Sequence, residues 1–323
     1  MQSRNVFKFI VMFLTLAVVT MSLAVNARGD IYVANYEPNA SNQYTIGEYT
    51  NSGATINASL ISSGLSLPNG LALSGSDLYV SNYAQGTIGK YTTSGVTENA
   101  TLVSGLDFPI CMAISGSNLF VANSASGVIG EYTTSGQVVN ANLITGLPHP
   151  VGLALDPSGS DLFVSDLKSG TIGEYTTSGA VVNAALISGL QSPDGIAVSG
   201  SNLFVYDSSF INGNQFGPST IGEYTTSGGV VNASLISGLP PAEGRIFVFG
   251  PDLFFTNNFA GTISEYTTSG DLVNASLISG LSQPAGIVVT PEPGAALIAA
   301  AGLGLLLRRS RKGRSLNIPG SHL

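Results

Sequence analysis

The chain has 323 residues, 44% of them hydrophobic and 9% charged, with 40 Gly, one Cys and no Trp. That much apolar material builds one large domain or two ordinary ones and excludes a disordered polyampholyte; one cysteine excludes a disulfide scaffold, and the glycine content argues against a helical bundle. The net charge of −8 is unevenly placed: all 19 acidic residues fall between Asp30 and Glu292, with only Lys90, Lys168 and Arg245 to oppose them, a balance of −16, and such a stretch without a basic patch does not suit nucleic acid.

Residues 1–27 read as a secretory signal peptide. Arg4 and Lys8 make a basic start, Phe9 to Val25 is almost unbroken apolar sequence, and Val25-Asn26-Ala27 offers small residues for cleavage. The alternative is a retained anchor helix. In both cases the acidic middle is exported.

From residue 28 to residue 290 the chain repeats. Ile-Gly-Glu-Tyr-Thr and its near copies recur with tyrosines at Tyr49, Tyr91, Tyr132, Tyr175, Tyr224 and Tyr266, at intervals of 42, 41, 43, 49 and 42 residues. A period near 42 belongs to propeller blades. A full unit runs Pro68-Asn69-Gly70-Leu71-Ala72-Leu73, a Ser-Gly-Ser-Asp turn, Leu78-Tyr79-Val80-Ser81-Asn82, a short loop, Thr87 to Thr92, a Thr-Ser-Gly turn and a closing run such as Asn99 to Val103. That predicts four short strands per unit and no helix. The first unit enters at Ile31, on a second strand, whereas Pro284 to Val289 is a surplus first strand at the far end. Joining the two closes a ring of six blades and leaves no frayed edge.

The Pro-x-Gly strand, the Leu-aromatic-Val-x-Asn/Asp strand and the Ile-x-x-Tyr-Thr-x-x-Gly segment resemble the NHL repeat family and its six-bladed relatives, the SMP-30 lactonase-like group and the streptogramin lyases. The resemblance covers roughly residues 30 to 290 and implies an all-β propeller. Two units depart from it: Pro109-Ile110-Cys111 places Cys where Gly is usual, and Pro241-Ala242-Glu243-Gly244-Arg245 carries one extra residue.

Beyond the repeats, residues 291–314 form a second address. Pro291-Glu292-Pro293 precedes fourteen uncharged residues, Gly294 to Leu307, and then Arg308, Arg309, Arg311, Lys312 and Arg314; a tail, 315–323, follows. Fourteen helical residues span about 21 Å, short of a bilayer core of about 30 Å, and the basic cluster would stay on the cytoplasmic side. Triplet, short helix and arginines in that order resemble the PEP-CTERM sorting signal. The resemblance implies an exosortase-type processing enzyme as partner, transient residence in the inner membrane, delivery to the cell surface or beyond, and an association with exopolysaccharide and biofilm. The alternative is an ordinary C-terminal anchor.

Candidate sites lie on the face formed by the loops after second and fourth strands. From the Asn or Asp ending a second strand to the next Ile, four units take six positions, unit one takes eleven and unit five fourteen. The fifth loop carries Phe210, Ile211 and Phe216, suited to a polysaccharide or surface-protein contact or simply to capping the ring. The strand-ending residues Asn35, Asn82, Asn123, Asp166, Asp207 and Asn257 form a ring whose oxygens could hold Ca²⁺, or could bond their own turn backbone; the second reading is the expected one. The related lactonases hold a metal with a Glu and several Asn or Asp in the channel, and no such Glu lies on a first strand here. Glu48, Glu131, Glu174, Glu223 and Glu265 fall one to a blade, which argues against paired acid–base work and for solvated blade faces. Streptogramin lyases use His chemistry, and the repeat region has His149 alone, between prolines. With no catalytic residues and no required cofactor indicated, the sequence reads as a non-catalytic binding propeller. A Ca²⁺-assisted lactonase or lyase and a purely structural matrix protein are the alternatives.

Overall fold

The computed structural model describes residues 28–211, 215, 216, 218–240 and 244–291. The signal segment, Glu292, Pro293, the apolar run, Arg308, Arg309, Arg311, Lys312 and the tail lie outside these residues. One compact unit spans Ile31–Val289; of a second, terminal unit residues 28–30, 290 and 291 are described, and there the Thr290 hydroxyl donates to Asp30 O at 3.2 Å.

Six four-stranded antiparallel sheets make a six-bladed propeller. In blade one the surplus strand Pro284–Pro291 pairs with Arg28–Asn35, followed outward by Thr45–Tyr49 and Thr55–Ile61. Blade two runs Pro68–Ser74, Asp77–Asn82, Thr87–Thr92 and Thr97–Ser104, and blades three to six repeat that order over residues 109–144, 150–187, 193–239 and 246–278. Ring closure shows in the core. Among the described residues there are six buried apolar clusters, each built from two successive blades, and one of them joins Phe254, Ile263 and Ile278 of blade six to Ile31, Val33 and Ile287 of blade one.

The repeat motif follows from this stacking. A second strand is covered on both faces by neighbouring blades, so it reads as a continuous apolar run instead of an alternating one: in blade one Ile31 and Val33 face blade six while Tyr32 and Ala34 face blade two. In Ile-Gly-Glu-Tyr the tyrosine ring folds back over the glycine. A Cβ on Gly89 would lie 2.7 Å from the Tyr91 ring, and Gly47, Gly130, Gly173 and Gly222 repeat the arrangement. In blade six Ser264 stands at this place and Tyr266 is correspondingly less buried. Burial lifts the Tyr91 phenol to about 12.

The outermost strands are bulged against their neighbours in every blade. The recurrent Asn-Ala pairs explain how: Asn57 Oδ1 accepts from Ser59 N at 3.1 Å, and Asn99, Asn140, Asn183, Asn232 and Asn274 make the same bond two residues on. The asparagine satisfies the N–H that the bulge removes from the ladder.

Candidate functional site: the loop face and the channel mouth

First strands surround a channel, and each starts on the loop face. Their backbones touch there because the third residue of Pro-x-Gly lacks a side chain: a Cβ on Gly70 would lie 2.3 Å from Ile110 O, on Gly152 2.3 Å from Asp194 O and on Gly286 2.3 Å from Asn69 O. Second-strand hydroxyls pin the junctions. Ser81 Oγ accepts from Gly70 N at 2.7 Å and donates to Ile110 O at 3.0 Å, and Ser165 Oγ donates to Asp194 O at 2.6 Å.

Blade six breaks the pattern in register. Arg245 N donates to Thr256 Oγ1 at 2.8 Å, as Gly70 N does to Ser81, and Ile246 lies opposite Phe255 as Leu71 lies opposite Val80. Arg245 therefore occupies the glycine place. Its guanidinium pairs with Asp194 of blade five and reaches Asn69 Oδ1 of blade two at 3.4 Å, so it spans the mouth. The pair is nearly dry, with side chains 13% and 6% exposed. Cys111 takes the glycine place in blade three; burial pushes its thiol up, and the Arg245 charge acts against that rise. All six first strands line a cavity of about 330 Å³, walled by side chains such as Leu73, Ile114, Leu155 and Val289.

The strand-ending ring lies one strand outside the channel. Asn35 Oδ1 accepts from Ser282 N (3.2 Å), Asn82 Oδ1 from Ser66 N (3.0 Å), Asp166 from His149 N (2.9 Å), Asp207 from Ser192 N (2.8 Å) and Asn257 from Ala260 N (3.0 Å). Most of these donors belong to the loop entering a first strand, so the ring fastens that loop. Among the described residues no three His, Cys, Asp or Glu are grouped to hold a metal. Burial pushes the Asp207 carboxyl up despite its hydrogen bonds from Ser192 and Gln191. Asn123 departs: its Oδ1 is buried and has no hydrogen-bond partner among the described residues.

Above Asn123 sits a feature that no single repeat announces. Tyr36, Tyr83 and Phe108, from loops of blades one to three, form a continuous aromatic run: Tyr36 and Tyr83 meet edge to face at 6.2 Å between centroids, and Tyr83 lies 4.7 Å from Phe108. Phe108 is 43% exposed. Phe108, Leu67 and Gln283, each just before a first-strand proline, have φ of 52°, 49° and 51°. Left-handed backbone at non-glycine residues costs on the order of 1–3 kcal/mol each. It turns their carbonyls onto the N–H groups of Ser124, Tyr83 and Tyr36, the residues that follow the ring asparagines.

In the fifth loop Phe210–Ile211 pairs with Gln215–Phe216 as a two-stranded hairpin, placing Phe210 opposite Phe216 on the backbone. His149, on the same face, gives its N–H to Asp166 and its carbonyl to Leu167 N. The strand-three acids correct an expectation. Glu131 and Glu265 are 8% and 5% exposed, set in register beside Phe120 and Phe254 on the packed faces of their blades, and burial holds the Glu131 carboxyl above its usual range.

No protein-family profile matches the chain, and no curated protein matches it. Solved structures do. A chain of a nidogen/laminin complex superposes with a TM-score of 0.63 at 14% identity, covering 81% of this chain and 97% of that one. The virginiamycin B lyase of Staphylococcus aureus gives 0.55 at 19% identity, over 81% and 95%. A Bacteroides uniformis protein provisionally named a 6-phosphogluconolactonase gives 0.58 at 14% identity, over 82% and 100%. At these identities the likeness establishes the fold and leaves activity open.

Proposed function

We propose that this chain is an exported, non-catalytic binding propeller whose loop face takes an extracellular polysaccharide. The observation that carries the reading is the aromatic run Tyr36–Tyr83–Phe108, continuous across three blades and held by left-handed backbone at Phe108. Strain of this kind persists where the surroundings enforce it, and the exposed Phe108 ring, backed by the half-buried Tyr83 and Tyr36, suits the apolar face of a sugar. An acidic domain without a basic cluster favours a neutral polymer over a polyanion. Neighbours on this fold include a member of a nidogen/laminin complex as well as lyase and lactonase-like proteins. Five of the six ring residues spend a side-chain oxygen on backbone N–H groups, which favours a fastening role for the ring over a Ca²⁺ site.

Sorting belongs to the same proposal. The closing strand ends at exposed Pro291, and its buried residues stop at Val289, so processing beyond the triplet would leave the ring intact. An exosortase-type enzyme would then release the propeller at the surface. Intact mass of the exported protein tests this: a species lacking residues after the Pro-Glu-Pro region supports it, and one still ending at Leu323 contradicts it. A glycan array with the Tyr83→Ala and Phe108→Ala variants tests the binding face; signal lost in folded variants supports it, and a blank array or silent substitutions overturn it.

A further inference from the structure

We propose that the rim of the propeller is a self-association surface, on which copies of this chain pack side by side through the apolar pairs of their outermost strands. Twelve large apolar side chains stand exposed among the described residues, and ten of them are on or next to outermost strands. The pairs at 138–139, 181–182, 230–231 and 272–273 are each more than half exposed at both members, so four successive blades present one stripe apiece. Natural sheets usually guard such edges with lysine or proline. Here the six outermost strands hold no proline and one charged residue, Glu98, itself bound to Lys90 at 2.7 Å.

Three features commit the rim to a second copy. The stripes are near copies of one another, Val-Val-Asn-Ala and its variants, so any edge of one molecule meets an equivalent edge on another, as an isologous contact requires. In a chain whose stretch from Asp30 to Glu292 balances at −16, an uncharged stripe is where two like-charged copies approach at least cost. The asparagine-capped bulges already occupy a main-chain N–H in the middle of every outer strand. Strand addition is therefore interrupted, and side-chain packing remains.

The area sets the strength. A half-exposed valine offers roughly 50 Å² of apolar surface, so a pair gives about 100 Å², against about 800 Å² per partner in a stable interface. One edge cannot hold a dimer. Edges on four separate blades meet different neighbours, so each contact stays weak, and association is graded with concentration and has no fixed stoichiometry.

Sedimentation velocity of the exported protein across a concentration series tests this. The wild type should rise steadily above monomer mass, and more steeply in high salt, where repulsion is screened and apolar contact strengthened. Val139→Lys, Val182→Lys, Val231→Lys and Val273→Lys should lower it stepwise, the combined variant remaining monomeric; lysine also reduces the negative charge, so relief of repulsion cannot imitate the effect. If the combined variant does not fold, the same four changes to threonine keep strand propensity and decide the matter. Phe108→Ala should leave association unchanged, which separates the rim from the loop face. A wild type that stays monomeric throughout, or a folded rim variant that associates like it, overturns the proposal.

Discussion

Replacing Asp194 and Arg245 singly and together tests how blade six closes the channel mouth. The repeats supply their own substitutions: valine stands at the Asp194 place in blade four (Val151), and glycine at the Arg245 place in four blades. Asp194→Val leaves a guanidinium that is 13% exposed without its carboxylate, and Arg245→Gly leaves a carboxylate that is 6% exposed without its guanidinium. Breaking a buried pair from one side costs about 3–5 kcal/mol, whereas replacing both partners is often neutral. Each single change should therefore cost about 3 kcal/mol, or about 6–12 °C in Tm at this size. The double variant should fall within about 1 kcal/mol of the parent, a coupling of several kcal/mol between the two sites. Urea unfolding followed by circular dichroism and tyrosine emission reads this, since the chain has 12 Tyr and no Trp. Single variants within about 0.5 kcal/mol of the parent, or costs that simply add, would refute the reasoning.

Gly152→Ala places a Cβ 2.3 Å from Asp194 O and 2.4 Å from Ser165 Oγ, and should cost about 1–3 kcal/mol by overpacking; a neutral result in the same unfolding assay would mean the blades are not in contact there. Ile287→Ala, in the closing strand at 5% exposure, should cost about 2–5 kcal/mol, and deletion of residues 285–289 should prevent cooperative unfolding; a deletion that melts like the parent contradicts ring closure. Glu131 carries a raised carboxyl pKa from burial, so its unfavourable charge weakens the fold as pH rises through that pKa, and the penalty is absent below the ordinary carboxylate range of about 4. Glu131→Gln should accordingly raise Tm at neutral pH and lose that advantage in acid; an equal Tm difference at both pH values would contradict it.

Architecture is legible in this sequence because each blade repeats the same local decisions. The spacing of six tyrosines, the missing first strand before Ile31 and the surplus one at Pro284 lead to six blades and their closure. What escapes a linear reading is whatever depends on a neighbouring blade. Glu131 and Glu265 look like solvent-facing strand residues, yet they are buried on the packed faces of their blades. Asn57 and its copies recur as Asn-Ala pairs in every outermost strand, and only backbone geometry shows the bond two residues on. Arg245 was visible as a departure, one of three basic residues in the acidic stretch, but its place in the glycine register needs the Thr256 contact. Tyr36 and Tyr83 share one repeat position, just after a ring asparagine, but Phe108 stands before a first-strand proline, so no single repeat position joins the three. The ring from Asn35 to Asn257 was visible as a repeat, but only Asp166 and Asn257 accept from their own turn; Asn35, Asn82, Asp166 and Asp207 accept from the loop entering a first strand, a long-range contact that local turn chemistry does not give.

Titration calorimetry of the exported propeller with neutral oligosaccharides, in low and high salt, tests the central claim most directly. Binding by stacking predicts an affinity that changes little with salt, because no counterions are released, and that falls by at least tenfold in Phe108→Ala and Tyr83→Ala variants whose unfolding midpoints match the parent. Absence of binding to neutral glycans, or binding indifferent to both substitutions, would contradict the assignment of this face as the site.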